Sequence, residues 1–316
     1  MKGRKSLTVW VLSIVTALIP VCAHSMTFQF DRSKPGVTEF VESYVRFSIR
    51  GQQLTDLLPP LFYLVTESTE KETIVVAKVG QVSKNQKNQA LFSALSDMVG
   101  PVPNQVKGPH GKMIFYNPAP DNIKLGAYTE WKEWMFLAGN PDVLADFLKG
   151  AASPQALVTP DAAFLADGLP KTAAVRFWAN NANSDLTALI RENQPRSMIP
   201  LPKNPESVKR FSGVLHIGPG HKVVAVATAV PFKQKQRSAL KKELELTIDS
   251  SRRLLDIFKV PSAGSVKEEG KVLALKLSID DYLLGQPGLF KAAPAASGEA
   301  SASSGIFKTY LVGSAQ

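Results

Sequence analysis

Between Val208 and Phe258 the period of the side chains changes, and that change limits what the chain can build. Val208–Ile217 and Val223–Val230 are apolar runs parted by Gly218-Pro219-Gly220-His221-Lys222, which reads as a hairpin tip. From about Gln234 to Phe258 the pattern turns helical, with Leu240, Leu244, Ile248, Ser251, Leu255 and Phe258 along one stripe. A one-sided helix of that length needs an apolar sheet to cover. Strands at Ala173–Trp178 and Val272–Leu277 supply more of that sheet, and Asn183-Ser184-Asp185 caps a helix running to about Asn193. The resulting order, βαββαβ, predicts a ferredoxin-like half with helices on one face of an antiparallel sheet.

The first half varies the same theme. Phe28, Phe30 and Val37 mark a leading strand, and Tyr44–Ile49 alternates as a second. Helical turns are expected over Gln52–Leu58 and a helix at Ala90–Met98, with added strand residues around Ile74–Val79 and Ile123–Tyr128. Three phrases recur in order between the halves. Val45-Arg46-Phe47 returns as Val175-Arg176-Phe177, and the turn Gly108–Lys112 as Gly218–Lys222. Met135–Ala138, leading through Asn140 and Pro141 into a helix, returns as Leu273–Leu277 leading through Ser278. The expected fold class is therefore α+β, two related halves of antiparallel sheet, arisen by internal duplication. The halves are placed at 26–150 and 172–288, joined by a connecting segment at 151–171. Within residues 289–316, Ala292 to Gly305 is nearly all Ala, Ser, Gly and Pro and reads as a linker, followed by the strand-like tail Ile306–Val312, read as a frayed end.

Residues 1–25 have the form of a secretory signal peptide. Lys2, Arg4 and Lys5 precede an apolar run from Leu7 to Val21, then Ala23-His24-Ser25 offers small side chains to a peptidase. The run is about fifteen residues, short of the roughly twenty that span a bilayer as a helix. Cleavage after Ser25 fits, as does cleavage after Ala23, and either removes Cys22, the one cysteine of the chain. The remainder then has no thiol for a disulfide, a nucleophile or a metal, and coheres by burying apolar surface. The formal charge of +10, less the three leader cations, leaves +7. A basic exported chain suits anionic envelope polymers or headgroups. No block of alternating basic and aromatic residues marks a nucleic-acid face.

Reactive constellations are hard to assemble. His216 and His221 flank a turn but lack a third ligand, and His110 stands alone in a Gly-Pro turn. Gly108–Lys112 fails as a phosphate loop, with Val106 where the first glycine is needed and Met113 where a hydroxyl is needed. Read as one strand, Tyr128–Trp134 puts Glu130 with Tyr128 and Trp134, and Glu133 with Trp131 on the other face. Solvent-facing glutamates between core aromatics account for that without glycoside hydrolysis. Asp280 and Asp281 read as first-turn acids favoured by the helix dipole. The basic residues Lys233, Lys235, Arg237, Lys241, Lys242, Arg252 and Arg253 give the long helix a face fit for peripheral membrane contact, although its apolar stripe is what sheet docking requires. No catalytic, cofactor-binding or metal-binding residue is assigned, and no cofactor is expected.

Residues 134–178 carry a resemblance. Met135–Leu144, with its Gly139-Asn140-Pro141 junction, then Pro160-Asp161-Ala162-Ala163-Phe164 and Leu169-Pro170, resembles a domain-of-unknown-function group of uncharacterised exported bacterial proteins. The resemblance implies fold and location and transfers no functional residue. The expectation is an exported, non-catalytic protein, in the periplasm or outside the cell, that binds an envelope protein or anionic polymer. The competing readings are a hydrolase whose site assembles only in three dimensions, and a carrier of an apolar ligand. N-terminal sequencing of secreted material checks the leader: the expected first residue is Met26, and an intact leader on exported protein contradicts it.

Overall fold

The computed structural model describes residues 26–44, 48–49, 52–53, 58–67, 72–80, 90–91, 93–95, 103–117, 126–182, 187, 200–218, 222–257 and 259–280. The predicted leader, the pair partner His221, Asp281, most of the helix at 184–193, and the linker and tail lie outside the described residues.

An antiparallel sheet organises the molecule, with helices packed on it, so the fold class is α+β. At its centre β1 (Met26–Asp31) pairs with β10 (Val175–Asn180), in register from Met26 opposite Ala179 to Phe30 opposite Val175. On the β1 side follow β4 (Leu61–Glu67), β5 (Glu72–Lys78), β9 (Trp134–Ala138), β8 (Ala127–Trp131), β7 (Met113–Tyr116) and the edge strand β6 (Asn104–Lys107). On the β10 side follow β11 (Val208–Ile217), β12 (Lys222–Pro231), β14 (Val272–Asp280) and the edge strand β13 (Ser262–Glu269). A separate ribbon holds β2 (Ser48–Ile49) and β3 (Gln52–Gln53).

Alternation along the strands sorts side chains to two faces. Phe28, Phe30, Phe62, Leu64, Val75, Ala77, Phe177, Ala227 and Leu275 face one core. That core is closed by α1 (Val37–Tyr44) through Val37, Phe40 and Val41, and by α4 (Arg237–Ile257) through Leu240, Leu244, Ile248 and Leu255. Tyr63, Val65, Val76, Phe136, Trp178 and Val214 face the other core. There α2 (Pro141–Lys149) and α3 (Ala162–Ala166) insert Val143, Leu144, Phe147, Leu148 and Phe164. Helices thus cover both faces, which corrects the one-face expectation. The physical reason is visible in β5 and β9: Ile74-Val75-Val76-Ala77 and Trp134–Ala138 are buried on both sides, so one helix layer leaves half of that surface wet.

Local chemistry explains the helix starts. Asn140 Oδ1 accepts from Asp142 N at 2.8 Å with Pro141 at the first helical position, as the sequence predicts. Asp161 Oδ1 accepts from Ala163 N and Phe164 N at 3.0 and 3.3 Å. In α4 the buried hydroxyls are satisfied within the helix: Ser251 Oγ reaches Thr247 O at 2.8 Å and Thr247 Oγ1 reaches Glu243 O at 3.0 Å, with Pro200 O a second acceptor beside Thr247 at 2.8 Å.

Several expected elements come out differently. Val37–Tyr44 is helix, and of the strand expected over Tyr44–Ile49 only Ser48–Ile49 is extended among the described residues. Gln52–Gln53 is strand where helical turns were expected. The strand at Val272 runs on through Ser278 to Asp280, because Ser278 pairs with both Val224 and Ala263, so Ser278 does not cap a helix there. Asp280 instead meets Lys222 at 3.0 Å. The second half is also not wound as a ferredoxin-like split βαβ. Its strands β10, β11 and β12 are sequential antiparallel neighbours, and α4 leads into a β13–β14 hairpin that docks through β14. A hairpin after the helix brings β14 in antiparallel to β12, where a single returning strand fixes a different order.

Gly213 shows how tightly the centre is set. A Cβ at that position meets Phe177 Cζ and Val226 O, each at 2.4 Å, and the second is backbone of the next strand. Gly213→Ala is expected to lower stability by about 1–3 kcal/mol. Urea unfolding checks it, with wild-type stability as the contrary result.

Candidate functional site

The face carrying α2 and α3 holds the charged groups that the fold has withdrawn from water. Asp167, at the end of α3, grips Arg210 of β11: Arg210 Nε donates to Asp167 Oδ2 at 2.6 Å and Nη2 lies 2.6 Å from the same oxygen. The bond to Asp167 raises the Arg210 guanidinium above its usual value, against burial, which lowers it. Two positions along the same face, on β10, stands Arg176, 7% exposed. Its Nη1 donates to Lys171 O at 2.6 Å, and its Cζ lies 5.5 Å from the centre of the Trp178 ring. Burial holds Arg176 below the usual guanidinium value, partly offset by Tyr63. Tyr63 in turn is raised by burial, partly offset by Arg176. The ladders place Gln29 of β1 between them, opposite Arg176 on one side and opposite Tyr63 on the other. Asn181, also buried, pins backbone by donating to Val208 O at 2.7 Å and Pro205 O at 3.2 Å.

The second concentration of charge is the outer side of α4. Lys242, Leu246, Asp249, Arg253 and Ile257 follow one another at helical spacing, opposite the buried stripe. Phe232, Leu246 and Ile257 are 43%, 51% and 73% exposed. Arg237 and Lys241 pair with Glu268 of β13 at 3.3 and 3.7 Å, and Arg252 with Asp249 at 3.6 Å. No acid of the described residues pairs with Lys235, Lys242, Arg253 or Lys259.

The residues singled out in the sequence are scattered. His110, in the turn between β6 and β7, stacks on Trp131 with ring centres 4.4 Å apart, and its Nε2 donates to Leu148 O at 3.1 Å. It therefore fastens a hairpin to the end of α2. His216 is exposed on β11. Among the described residues no group of three or more His, Cys, Asp or Glu side chains is placed to hold a metal ion. No helix of the described residues is long and apolar enough to cross a membrane.

Glu130 and Glu133 require a correction. Tyr128–Trp134 is not one strand; it folds back at Lys132 (φ 59°), pairing Trp131 with Trp134. Both tryptophans consequently face the α2 side, Trp134 5.9 Å from Tyr63, while Glu130 points to the opposite face with Tyr128. Glu133 sits at the turn and meets Lys78 at 3.2 Å. The turn was hidden in the sequence because Lys-Glu carries no glycine or asparagine signal. Arg176 had a signal that went unused: a charge in the middle of Val175–Ala179, a strand otherwise buried on both sides.

No protein-family model and no curated protein matches this chain. Solved structures of TP0453 do match. Crystal forms III, I and IV give TM-scores of 0.43, 0.44 and 0.42 at 8%, 9% and 10% identity. The matches cover 85%, 82% and 86% of this chain and 96%, 90% and 96% of the TP0453 chains. They transfer no residue role.

Burial raises the Glu130 carboxyl above its usual value. The folded state then holds that proton at pH values where the unfolded chain has released it. Its contribution is most favourable below about pH 4 and is lost as pH rises through the folded value. Glu130→Gln is expected to raise the melting temperature at neutral pH and leave it unchanged at acid pH. Calorimetry across that range decides, and an equal shift at both ends contradicts the assignment.

Proposed function

We propose that this chain is an exported, non-catalytic protein that binds an anionic surface of the bacterial cell envelope through the outer side of α4. The observation that carries the reading is the order Lys242, Leu246, Asp249, Arg253, Ile257 along that side: two cations that no described acid pairs with and two exposed apolar residues flank one acid, which Arg252 holds at 3.6 Å. Such a helix lies along a charged interface with its cations toward headgroups and its apolar side chains inserted between them. Sheet docking is already served by the opposite stripe, so the outer residues are free for a second role.

Export is supported by the leader features at 1–25 and agrees with a basic, cysteine-free remainder. A binding role agrees with the way polar side chains are used within the fold: Asp167 closes on Arg210, Asn140 and the exposed Asp161 cap helices, and the buried Asn181 holds backbone. We further propose that the two halves arose by duplication. Strand order outward from the central pair supports it, running β1, β4, β5, β9, β8 one way and β10, β11, β12, β14, β13 the other. On that reading the counterpart of β10 is β1, so the Val-Arg-Phe and turn echoes belong to no matched pair, while the β9 and β14 echo does. Membership in the group of exported proteins with the Gly-Asn-Pro and Pro-Asp-x-x-Phe phrases stands as part of the same proposal.

Co-sedimentation with vesicles tests the surface. Binding is expected to vesicles containing phosphatidylglycerol, not to pure phosphatidylcholine, and to weaken with salt. Each cation near an anionic bilayer contributes about 1 kcal/mol, so Lys242→Glu with Arg253→Glu is expected to cut binding by roughly 30-fold or more. Equal binding to both vesicle types, or no effect of the double variant, overturns the reading.

A further inference from the structure

We propose that Arg176, with Gln29 and Tyr63 beside it, binds the carboxylate of a small organic monoanion on the α3 side of the sheet.

Among the described residues three arginines bury an Nε without a hydrogen-bond acceptor: Arg176, Arg237 and Arg252. Arg237 has Glu268 at 3.3 Å, and Arg252 has Asp249 at 3.6 Å. Arg176 has no carboxylate among the described residues, although it is the most deeply placed. A buried cation without a counter-charge is costly, and a carbonyl plus an aromatic face offsets only part of that cost. The carbonyl of Lys171 engages Nη1 alone. The Nε–Nη2 edge, the edge a planar carboxylate takes with two parallel bonds, is left to other acceptors. The neighbouring Arg210 presents that same pair of nitrogens to Asp167. On the next strand of the same face, that edge of a guanidinium thus closes on a carboxylate, both nitrogens meeting the one oxygen Oδ2.

The surroundings add donors. Gln29 is half-buried between Arg176 and Tyr63, and no described acceptor takes its amide or the Tyr63 hydroxyl. Guanidinium, amide and phenol thus belong to cross-strand neighbours on one face with no described acid among them, a set complementary to an acceptor-rich group. Charge selects the class. Arg176 is one positive charge, and among the described residues the group acting on it electrostatically is the Tyr63 phenol. A monoanion neutralises it, whereas a phosphate dianion leaves a second charge uncompensated in a dry setting. Aromatic walls supply the rest of the specificity: Trp178 lies under the guanidinium, and Trp134 stands beside Tyr63. They suit an organic body attached to the carboxylate.

Titration calorimetry of the full chain with phenylacetate and, separately, with inorganic phosphate tests the site. Phenylacetate is expected to bind saturably and more tightly than phosphate. Arg176→Met is expected to weaken phenylacetate at least about tenfold while leaving the melting temperature of the free protein unchanged or higher. Should that variant fail to fold, Gln29→Leu with Tyr63→Phe retains the cation and removes the flanking donors, and a several-fold loss is still expected. Three results overturn the proposal: no saturable phenylacetate binding, tighter binding of phosphate, or unchanged phenylacetate affinity in whichever of the two variants folds.

Discussion

The antiparallel seam between β1 and β10 is the interaction on which everything else rests. It joins residues about 150 positions apart in the chain, and on their other sides β1 pairs with β4 and β10 with β11. Aromatic contacts reinforce it across the sheet. Phe28 meets Phe177 at 6.2 Å, Phe177 meets Phe211 at 5.8 Å, and Phe30 meets Phe62 at 5.1 Å between ring centres. Such pairs add about 0.5–1.5 kcal/mol each beyond their burial. The same seam places Gln29 opposite Arg176, so the polar cluster on the reverse face exists only because β1 and β10 lie side by side in one sheet.

Division of labour between the faces follows from side-chain alternation. One face is closed by α1 and α4 over a core of phenylalanine and leucine. The other is closed by α2, α3 and the stretch through Val158 and Leu169, and it is where arginine, tyrosine and tryptophan are drawn under cover. The reason lies in β10 itself: Phe177 points one way, Arg176 and Trp178 the other. A single strand thereby feeds both apolar cores, and carries the Arg176 guanidinium into the second.

What could be read from the residues depended on how completely burial wrote itself into the pattern. The β11–β12 hairpin and α4 were plain because each has one wet side and one dry side at a fixed period. The caps at Asn140 and Asp161 were plain because their chemistry is local. By contrast β13, Ser262–Glu269, has no counterpart in the sequence reading: it is an edge strand with only Val266 buried, and the exposed Lys267, Glu268 and Glu269 carry no apolar alternation. The α1 helix was obscured by the apolar alternation immediately after it, and the fold-back at Lys132 by the absence of turn residues. The Arg176 cluster draws on β1, β4 and β10, and no spacing along the chain relates three strands that meet only through the seam.

Placement of β1 at the middle of the sheet has a kinetic consequence. The strand nearest the start of the described chain finds β4 quickly, yet its other edge waits for β10, far downstream. Closing that loop costs configurational entropy before any contact repays it, and folds dominated by such distant pairings are slow. During synthesis the unpaired rim of β1 stays open until most of the polypeptide has been made, a long interval in which the chain remains pliable.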